Sequence, residues 1–474
     1  MNDSNLKIKK YDIALTSLYD LRHVERDYHC FTRLLSKGYQ VVVFTNGYDI
    51  FRYFYEKNID IINLSEEIKK VEICLPIENE VERIKKKYHI SYSFYRFIET
   101  NYLQNRTLFC KRSDAIFYAV RLFNAYENLF HRISVDTFFQ LHTADIDRMV
   151  PRYVCKLYCK HVFEYTASGF PGKDFILIEN EDFKVKGFRQ NLNKIETVDS
   201  KIISEIRNNM LTLKKKNKYL PPPKFSIMNK LKKFPYIKER LNKSSKTQFI
   251  KNNLTQIIIH PIRKLINKRL YHLPSQTDRY IFYPIHAPIE DQVIVRGFPY
   301  RNEFELIKTI ALSLPYGYKL YVKEHPGYEG FYPVQNFKEL LQFEQVKIIP
   351  PNLNSHEIIK NSKLCVVINS TVWFEALLLN IPVIALGKGF FSGFGVCKEV
   401  EDINQLDEAI LNTLSFTPNR ATINKFLYAL YSLSYKHEFR YYLSQTPQIA
   451  GIELSGLIEK IIANNAYRQH ISEE

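Results

Sequence analysis

The sequence predicts an α/β protein in which two domains, each with a parallel sheet covered by helices, face a cleft and are joined by a basic helical connector. Short apolar runs alternate with helix-like segments in both halves of the chain, which is typical of parallel sheets covered on both faces. The 474 residues are enough for two to four structural units at roughly 100–200 residues each. The excess of basic residues lies between the two halves.

The N-terminal half begins with a strand–helix–strand pattern, in which a glycine at position 38 ends the first helix. An aromatic-rich helical stretch follows, and then a second alternation of strand, helix and strand. The predicted strands lie at 11–17, 39–45, 135–142 and 161–165, and the predicted helices at 30–36, 91–131 and 147–159.

The C-terminal half shows the same alternation more clearly. Two parallel sheets with helices on both faces, in one chain, predict a ligand cleft at the carboxyl ends of their strands. The predicted strands lie at 279–285, 319–323, 345–349, 364–368 and 382–386, and the predicted helices at 303–313, 356–361 and 370–379.

The connector carries almost all of the net charge. Residues 210–272 contain 17 Lys and Arg against the single acid Glu239, whereas the rest of the chain has 50 basic and 49 acidic residues. Apolar residues among the lysines of 225–241 indicate a basic amphipathic helix. Two interpretations stay open, a solvated linker or surface helix and a helix on an anionic membrane surface. The candidate membrane-surface residues are Lys214, Lys215, Lys216, Lys232, Lys233, Arg263 and Lys264.

Several classes of protein are disfavoured. We find no zinc-finger, homeodomain or RNA-binding motif, so we expect no nucleic-acid partner. No apolar run approaches the roughly 18 residues that cross a bilayer, and residues 1–10 lack the apolar core of a secretory signal. We therefore expect a cytoplasmic protein. The seven cysteines include no Cys-x-x-Cys pair, and we expect no metal site.

The first candidate site follows the strand 319–323. A residue at the end of a parallel strand points towards the cleft, and Pro326 and Gly327 predict a sharp turn that presents His325. An imidazole there can donate a hydrogen bond to a phosphate oxygen and stabilise a leaving phosphate. A His-Pro pair alone is weak evidence, because the connector contains a second one at His260.

The second candidate site follows the strand 364–368. Ser370 and Thr371 offer hydroxyls at the start of a helix, where backbone N–H groups favour an anion. Glu375 lies four residues after Thr371, on the same helix face, where it can reach ribose hydroxyls. The alternative is that Ser370 is only an N-cap. After the strand 279–285, His286 and Glu290 can contact a sugar or act as acid or base, or bond only within their loop.

Six segments of the C-terminal half carry a resemblance: 280–286, 314–315, 320–327, 346–350, 369–371 and 374–384. In this order and spacing they resemble the bacterial capsule polysaccharide biosynthesis family, which includes the Kdo transferases that build capsule linkers. The resemblance covers about residues 279–400. It implies a GT-B glycosyltransferase with two Rossmann-like domains, no metal requirement and no cofactor besides the nucleotide-sugar donor, for which CMP-activated sugars are the known examples.

The resemblance also implies roles for single residues. His325 and Pro326 would contact the donor phosphate, Ser370 and Thr371 would hold it, and Glu375 would contact the nucleotide. Lys323, Asn369 and His286 lie beside them and complete the predicted donor site. The predicted domains are an N-terminal acceptor domain at 1–200, the connector at 201–274, the donor domain at 275–435 and C-terminal helices at 436–474.

The catalytic base is less well specified. The N-terminal half matches the family only in outline, and Ile289 stands before Glu290 where a proline is expected. Asp145 and Asp147, at the end of a predicted strand, are the first candidates; Asp20 and Glu25 are weaker ones.

The predicted function is transfer of a sugar from a nucleotide donor to a carbohydrate or lipid-linked acceptor, by a protein peripheral to the anionic inner membrane surface and in contact with other capsule assembly proteins. The alternatives are a polyol-phosphate transferase of the teichoic-acid type and a non-catalytic scaffold of capsule assembly.

Overall fold

The computed structural model of the chain forms two compact units. One unit comprises the described residues within 1–98, 112–191 and 430–474, and the other those within 99–111 and 192–429. The structure describes residues 8–17, 21–104, 111–170, 173, 175–180, 183–216, 255–288, 290, 292–298, 300–436 and 446–472.

The described residues of the first unit contain a six-stranded sheet in the order β3-β2-β1-β4-β5-β6. Its pairs are parallel except for β6, which runs antiparallel to β5. The strands are β1 Lys9–Thr16, β2 Val41–Thr45, β3 Ile61–Asn63, β4 Ile133–Leu141, β5 His161–Ala167 and β6 Phe175–Ile178.

The described residues of the second unit contain a six-stranded sheet that is parallel throughout, in the order β12-β11-β10-β7-β8-β9. Counted from its own first strand, this order equals that of the first sheet and is the Rossmann order. The predicted fold class of two Rossmann-like domains is confirmed. The strands are β7 Arg279–Pro284, β8 Tyr318–Lys323, β9 Val346–Ile349, β10 Leu364–Val367, β11 Val383–Ala385 and β12 Lys398–Glu399.

Helices cover the sheets and connect their strands. In chain order they are α1 Leu21–Ser36, α2 Tyr48–Tyr55, α3 Leu64–Lys69, α4 Ile77–Lys87, α5 Phe94–Gln104, α6 Arg112–Phe130, α7 Ile146–Tyr158, α8 Phe188–Lys194, α9 Ser200–Lys216, α10 His260–Asn267, α11 Glu303–Leu312, α12 Val334–Leu340, α13 Ser355–Asn361, α14 Val372–Leu378, α15 Leu406–Leu414, α16 Arg420–Ser432 and α17 Pro447–Ser472.

The core of the second unit explains why its strands were readable in the sequence. Ile281, Val322, Ile348, Val366 and Ile384 come from five neighbouring strands and are fully buried in one cluster. A strand covered on both faces has no polar side, so it appears in the sequence as a continuous apolar run.

The prediction of the first helix was wrong at its N-terminal end. The polar segment that precedes residue 30 is helical, and α1 begins at Leu21. Val24, Phe31 and Leu34 are buried while Glu25 is exposed, so one helix face packs on the sheet although the segment reads as polar. The short strands β3, β6 and β12 were not predicted. The predicted amphipathic helix within 225–241 lies outside the described residues.

No helix in the described part of the chain is both long enough and apolar enough to span a membrane.

The C-terminal helix α17 packs against α1 at a glycine. A Cβ on Gly451 would lie 2.5 Å from the Arg26 carbonyl oxygen and 2.6 Å from the His29 Cβ. The same helix has a second glycine, Gly456, around which no atom lies within 4 Å of a Cβ. The close approach of the two helices therefore depends on Gly451.

We expect Gly451→Ala to lower the free energy of unfolding by about 1–3 kcal/mol, because the methyl group forces α17 away from α1. Gly456→Ala is the matched control and should be neutral or stabilising by up to about 1 kcal/mol, because alanine favours the helix. Denaturant unfolding of both variants measures this. Equal effects of the two substitutions would contradict the packing described.

Candidate functional site

The candidate site lies where four neighbouring strands of the second sheet end. The order β10-β7-β8-β9 brings their carboxyl ends side by side, and the Rossmann switch point falls between β10 and β7. His286 follows β7, Lys323 and His325 lie at the end of β8, and Asn369 follows β10. The structure thus brings the ends that carry the predicted donor-binding residues to one edge of the sheet.

His325 is fixed in one tautomer by its own turn. Pro326–Tyr328 forms a single 3-10 turn, and the Gly327 N–H donates a 3.1 Å hydrogen bond to the His325 Nδ1. The proton of the neutral ring therefore lies on Nε2. Burial lowers the pKa of His325, and the charges of Lys323 and His286 lower it further. At neutral pH the ring is an uncharged donor, able to give its Nε2–H to a phosphate oxygen.

His286 is held by a buried carboxylate. Glu303, the first residue of α11, accepts hydrogen bonds at Oε1 from the Tyr283 hydroxyl (2.8 Å), the His286 N–H (3.1 Å) and the His286 Nδ1 (2.8 Å). Burial lowers the pKa of His286, but the Glu303 carboxylate outweighs it and the net shift is upward. Within the described residues the buried Nε2 atom of His286 has no hydrogen-bond partner, so it can bond a ligand.

Lys323 is a buried cation at the end of β8. Its Nζ donates a 2.7 Å hydrogen bond to the Oγ of Ser355, at the start of α13. Burial lowers the pKa of Lys323 to about 8. Ser355 was not predicted as a site residue, because nothing in the sequence indicates that the loop after β9 reaches Lys323.

Glu324 is a second buried titratable group that the sequence analysis did not select. Successive strand residues point to opposite faces, and the Glu324 Oε2 accepts a 3.1 Å hydrogen bond from the Tyr271 hydroxyl. Burial raises the pKa of Glu324 to about 7. A glutamate next to His325 at the end of a buried strand was the available signal.

After β10, the predicted site residues Ser370 and Glu375 contact other residues of the second unit. The Val372 N–H donates to the Ser370 Oγ at 3.3 Å, one residue before the N-cap Thr371, which is exposed and makes no side-chain cap hydrogen bond. Glu375 is buried and its Oε2 lies 3.2 Å from the His356 Nε2. This carboxylate therefore links α14 to α13. Its predicted contact with a nucleotide stays a prediction.

Glu290 lies near His286. Its carbonyl oxygen accepts the N–H groups of Val293 and Ile294 at 3.1 and 3.0 Å, which starts a π-helical turn. Its partly buried carboxylate contributes to the raised pKa of His286. An acid or base role for Glu290 is therefore compatible with its place in the loop.

The two aspartates proposed as base differ in their surroundings. In the first unit, Asp147 is buried, and its Oδ1 accepts hydrogen bonds from the Tyr118 hydroxyl and from the Asn46 Nδ2 at 2.7 Å. Asp145 precedes α7 and its Oδ2 accepts from the Arg148 Nη1 at 2.6 Å. Of the weaker candidates, Glu25 is exposed and Asp20 lies outside the described residues.

A buried ion pair supports the segment that carries these aspartates. The Arg152 Nε donates to both oxygens of Glu164 at 2.8 and 2.7 Å, and its Nη2 donates to the Thr143 carbonyl oxygen at 2.7 Å. The His142 Nδ1 lies 2.9 Å from the Glu164 Oε2. Burial opposes ionisation of Glu164, but Arg152 and His142 outweigh it and lower its pKa to about 2. The cluster is spread over three elements and was not found in the sequence.

The described membrane-surface candidates lie on two helices. Lys214, Lys215 and Lys216 end α9. On α10, Arg263 donates from Nη1 to the Phe331 carbonyl oxygen at 3.0 Å, and Lys264 pairs with Glu329. Lys232 and Lys233 lie outside the described residues. Across the residues the structure describes, no group of three or more His, Cys, Asp or Glu is placed to hold a metal ion.

Comparison with known proteins gives one family match. Residues 232–465 match the model of a family described as capsule polysaccharide biosynthesis protein. No curated protein matches the sequence.

The solved structures that resemble the chain are distant. The beta Kdo 2,7 transferase of Thermosulfurimonas dismutans KpsC is 14% identical, with 70% of this chain and 89% of that chain covered and a TM-score of 0.36. The beta Kdo 2,4 transferase of the same KpsC is 12% identical over 65% and 85%, with a TM-score of 0.34. A glycosyltransferase of Rickettsia africae is 11% identical over 96% and 99%, with a TM-score of 0.31. Likenesses at this level carry no argument about activity.

We predict that nitrogen-15 NMR of His325 finds the proton on Nε2 at neutral pH and a titration midpoint below 6.5, because burial and nearby cations disfavour the imidazolium ion. Lys323→Met removes one of these cations and should move the midpoint upward. A proton on Nδ1, or a midpoint above 6.5 in the unsubstituted chain, would contradict the described geometry.

Glu324 predicts a pH-dependent stability. Its pKa rises from 4.5 to about 7 on folding, so its stabilising contribution is complete below pH 4.5 and is lost as the pH rises through about 7. Glu324→Gln removes this titration, and its stability relative to the unsubstituted chain should rise across that window by on the order of 3 kcal/mol. Denaturant unfolding over a pH series measures it. The exposed Glu344→Gln is the control and should give a parallel curve; a parallel curve for Glu324→Gln would refute the assignment.

Proposed function

We propose that the protein is a glycosyltransferase of capsule or surface polysaccharide synthesis, from the premise that residues 232–465 match the model of the capsule polysaccharide biosynthesis family. It moves a sugar from a nucleotide donor, held by the second unit, to a carbohydrate or lipid-linked acceptor. The observation that carries the proposal is the meeting of His286, Lys323 and His325 at adjacent strand ends within the matched region.

The donor side of the mechanism rests on desolvated hydrogen-bond donors. The His325 Nε2–H and the Lys323 ammonium are suited to the phosphate oxygens of the donor, and the His286 Nε2 offers a further contact. When the bond between the sugar and the phosphate breaks, negative charge grows on the departing phosphate. Donors fixed in place before the reaction stabilise this charge without reorganisation.

The acceptor side needs a base. The acceptor hydroxyl attacks the anomeric carbon and gives its proton to a carboxylate. Asp145 and Asp147 of the first unit are the proposed bases, and Glu290 of the second unit is the alternative. Both carboxylates accept hydrogen bonds inside their own unit, and Asp145 is favoured because it is only partly buried whereas Asp147 is buried.

The finer assignment extends the family resemblance. We propose a CMP-activated sugar such as Kdo as the donor, with no metal and no other cofactor, and Ser370, Thr371 and Glu375 as further donor contacts. The enzyme would act at the cytoplasmic face of the membrane, where a lipid-linked acceptor and other capsule assembly proteins are located.

Thermal unfolding with CMP, UDP, GDP and CDP tests the donor site. One nucleotide at 100 times its dissociation constant should stabilise the chain by about 2.7 kcal/mol, and His325→Ala should abolish this stabilisation. His272→Ala, an exposed histidine of the same unit, is the matched control and should retain it. The absence of stabilisation by every nucleotide, in a folded chain, would favour the non-catalytic scaffold.

The rate of sugar transfer tests the chemistry, with a sugar linked to the nucleotide that stabilises the chain as the donor substrate. His325→Ala should lower the rate by about 10²–10³, the usual effect of removing one donor to a developing negative charge. Phosphorus analysis of the acceptor before and after the reaction identifies the chemistry, because a polyol-phosphate transferase adds a phosphodiester to the acceptor, whereas in glycosyl transfer the phosphate leaves with the nucleotide. Unchanged turnover in His325→Ala would remove this residue from the site.

A further inference from the structure

We infer that the segment Thr255–Asn267 presents an aliphatic face that binds an anionic lipid surface. This inference rests on the proposed function in one respect, since an acceptor anchored in lipid has to be met at the membrane. It goes further by naming the surface and by linking it to the loop that carries His325.

The face consists of large aliphatic side chains on the solvent side of one helix. A π-helical turn at Thr255–Ile259 continues directly into α10. Spacings of three and four residues place these side chains on a common side. Each is between 40% and 64% exposed: Ile258, Ile259, Ile262, Leu265 and Ile266. Exposed apolar side chains that are contiguous on one helix indicate an interaction surface, whereas single ones do not.

The opposite side of the helix is anchored to the second unit. Arg263 donates to the carbonyl oxygen of Phe331, and Lys264 pairs with Glu329. Gly330 allows its loop to approach α10 closely, because a Cβ at this position would lie 2.9 Å from the backbone nitrogen of Lys264 and closer still to the His260 carbonyl oxygen. The polar side of α10 thus faces the protein and the aliphatic side faces outward, which is the reverse of an ordinary surface helix.

The charge around this face selects an anionic partner. Residues 255–277 contain Arg263, Lys264, Lys268 and Arg269 but no Asp or Glu. Lys268 and Arg269 are exposed immediately after the helix. An apolar face next to the exposed cations Lys268 and Arg269 is suited to anionic headgroups above an acyl layer. A second copy of the same basic face would be repelled.

The helix contacts the loop after β8. Glu329, Gly330 and Phe331 follow His325 by four to six residues, and His325 and Tyr328 are in ring contact at 5.3 Å between centroids. One side of α10 would therefore contact lipid, while its other side contacts the loop that carries His325, the proposed hydrogen-bond donor to phosphate. We propose that membrane contact and the donor site are adjacent parts of one unit.

Co-sedimentation of the full chain with vesicles tests the inference. Vesicles of phosphatidylcholine with phosphatidylglycerol should bind the protein, vesicles of phosphatidylcholine alone should bind it weakly, and added salt should release it. The double variant Ile262→Asp with Leu265→Asp should bind anionic vesicles at least about tenfold more weakly. The matched control, Leu312→Asp with Leu411→Asp, adds the same charge at exposed leucines of two other helices of this unit and should bind as the unsubstituted chain does.

Two outcomes would overturn the inference. Equal vesicle binding by both double variants would assign the binding to other basic residues of the chain. A chain that is dimeric by light scattering, becomes monomeric in Ile262→Asp with Leu265→Asp, and ignores vesicles would show that the face joins two copies.

A fluorescence measurement gives an independent readout. The chain has one tryptophan, Trp373, which is buried, so Leu265→Trp adds a reporter on the exposed face. Its emission should shift to shorter wavelength with anionic vesicles, and an unchanged spectrum would refute insertion. Nucleotide stabilisation of the Ile262→Asp with Leu265→Asp variant separates this inference from the proposed function, because loss of vesicle binding should leave that stabilisation intact.

Discussion

The pairing of β7 with β8 on one side and β10 on the other is the constraint on which the candidate site depends. Tyr283 pairs with Val322 and Pro284 with Lys323, while Leu364 pairs with Ile281. A parallel register brings strand ends together that are far apart in the chain. The residues that follow these three strands therefore meet at one edge of the sheet, although about 80 positions separate His286 from Asn369. A slip of register by one residue would turn every side chain of a strand to the other face.

Burial of polar groups at this edge gives the site its electrostatic character. The Glu303 carboxylate is compensated by three donors, which fixes His286 and leaves its Nε2 directed away from Glu303. Burial lowers the pKa of both His325 and Lys323. Desolvated donors of this kind are stabilised by a bound anion, since the anion restores interactions that water no longer supplies. For this physical reason we propose that the donor substrate carries a phosphate.

The first unit uses its buried polar groups differently. Asp27 accepts from Ser17 and Arg26, Asp147 accepts from Asn46 and Tyr118, and Glu164 accepts from Arg152. These carboxylates are satisfied by donors of the same unit, which orders the loops after β1, β2 and β4. The two Rossmann-like units thus share a strand order and differ in their buried polar groups, which are internally paired carboxylates in the first unit and donors suited to a ligand in the second.

The sequence by itself determined the longer strands of both sheets, because strands covered on both faces are continuous apolar runs, but not the short strands β3, β6 and β12. It also determined that His286, Lys323 and His325 lie at the ends of such strands. It also determined that the connector is basic. Only the tertiary structure decided that α1 begins at Leu21, that Ser355 reaches Lys323, that Glu324 is buried against Tyr271, and that α10 turns its aliphatic side outward. The physical reason is the range of the interactions. Apolar runs and turns are local, whereas the burial of a charge and the side on which a helix packs depend on residues that are distant in the chain.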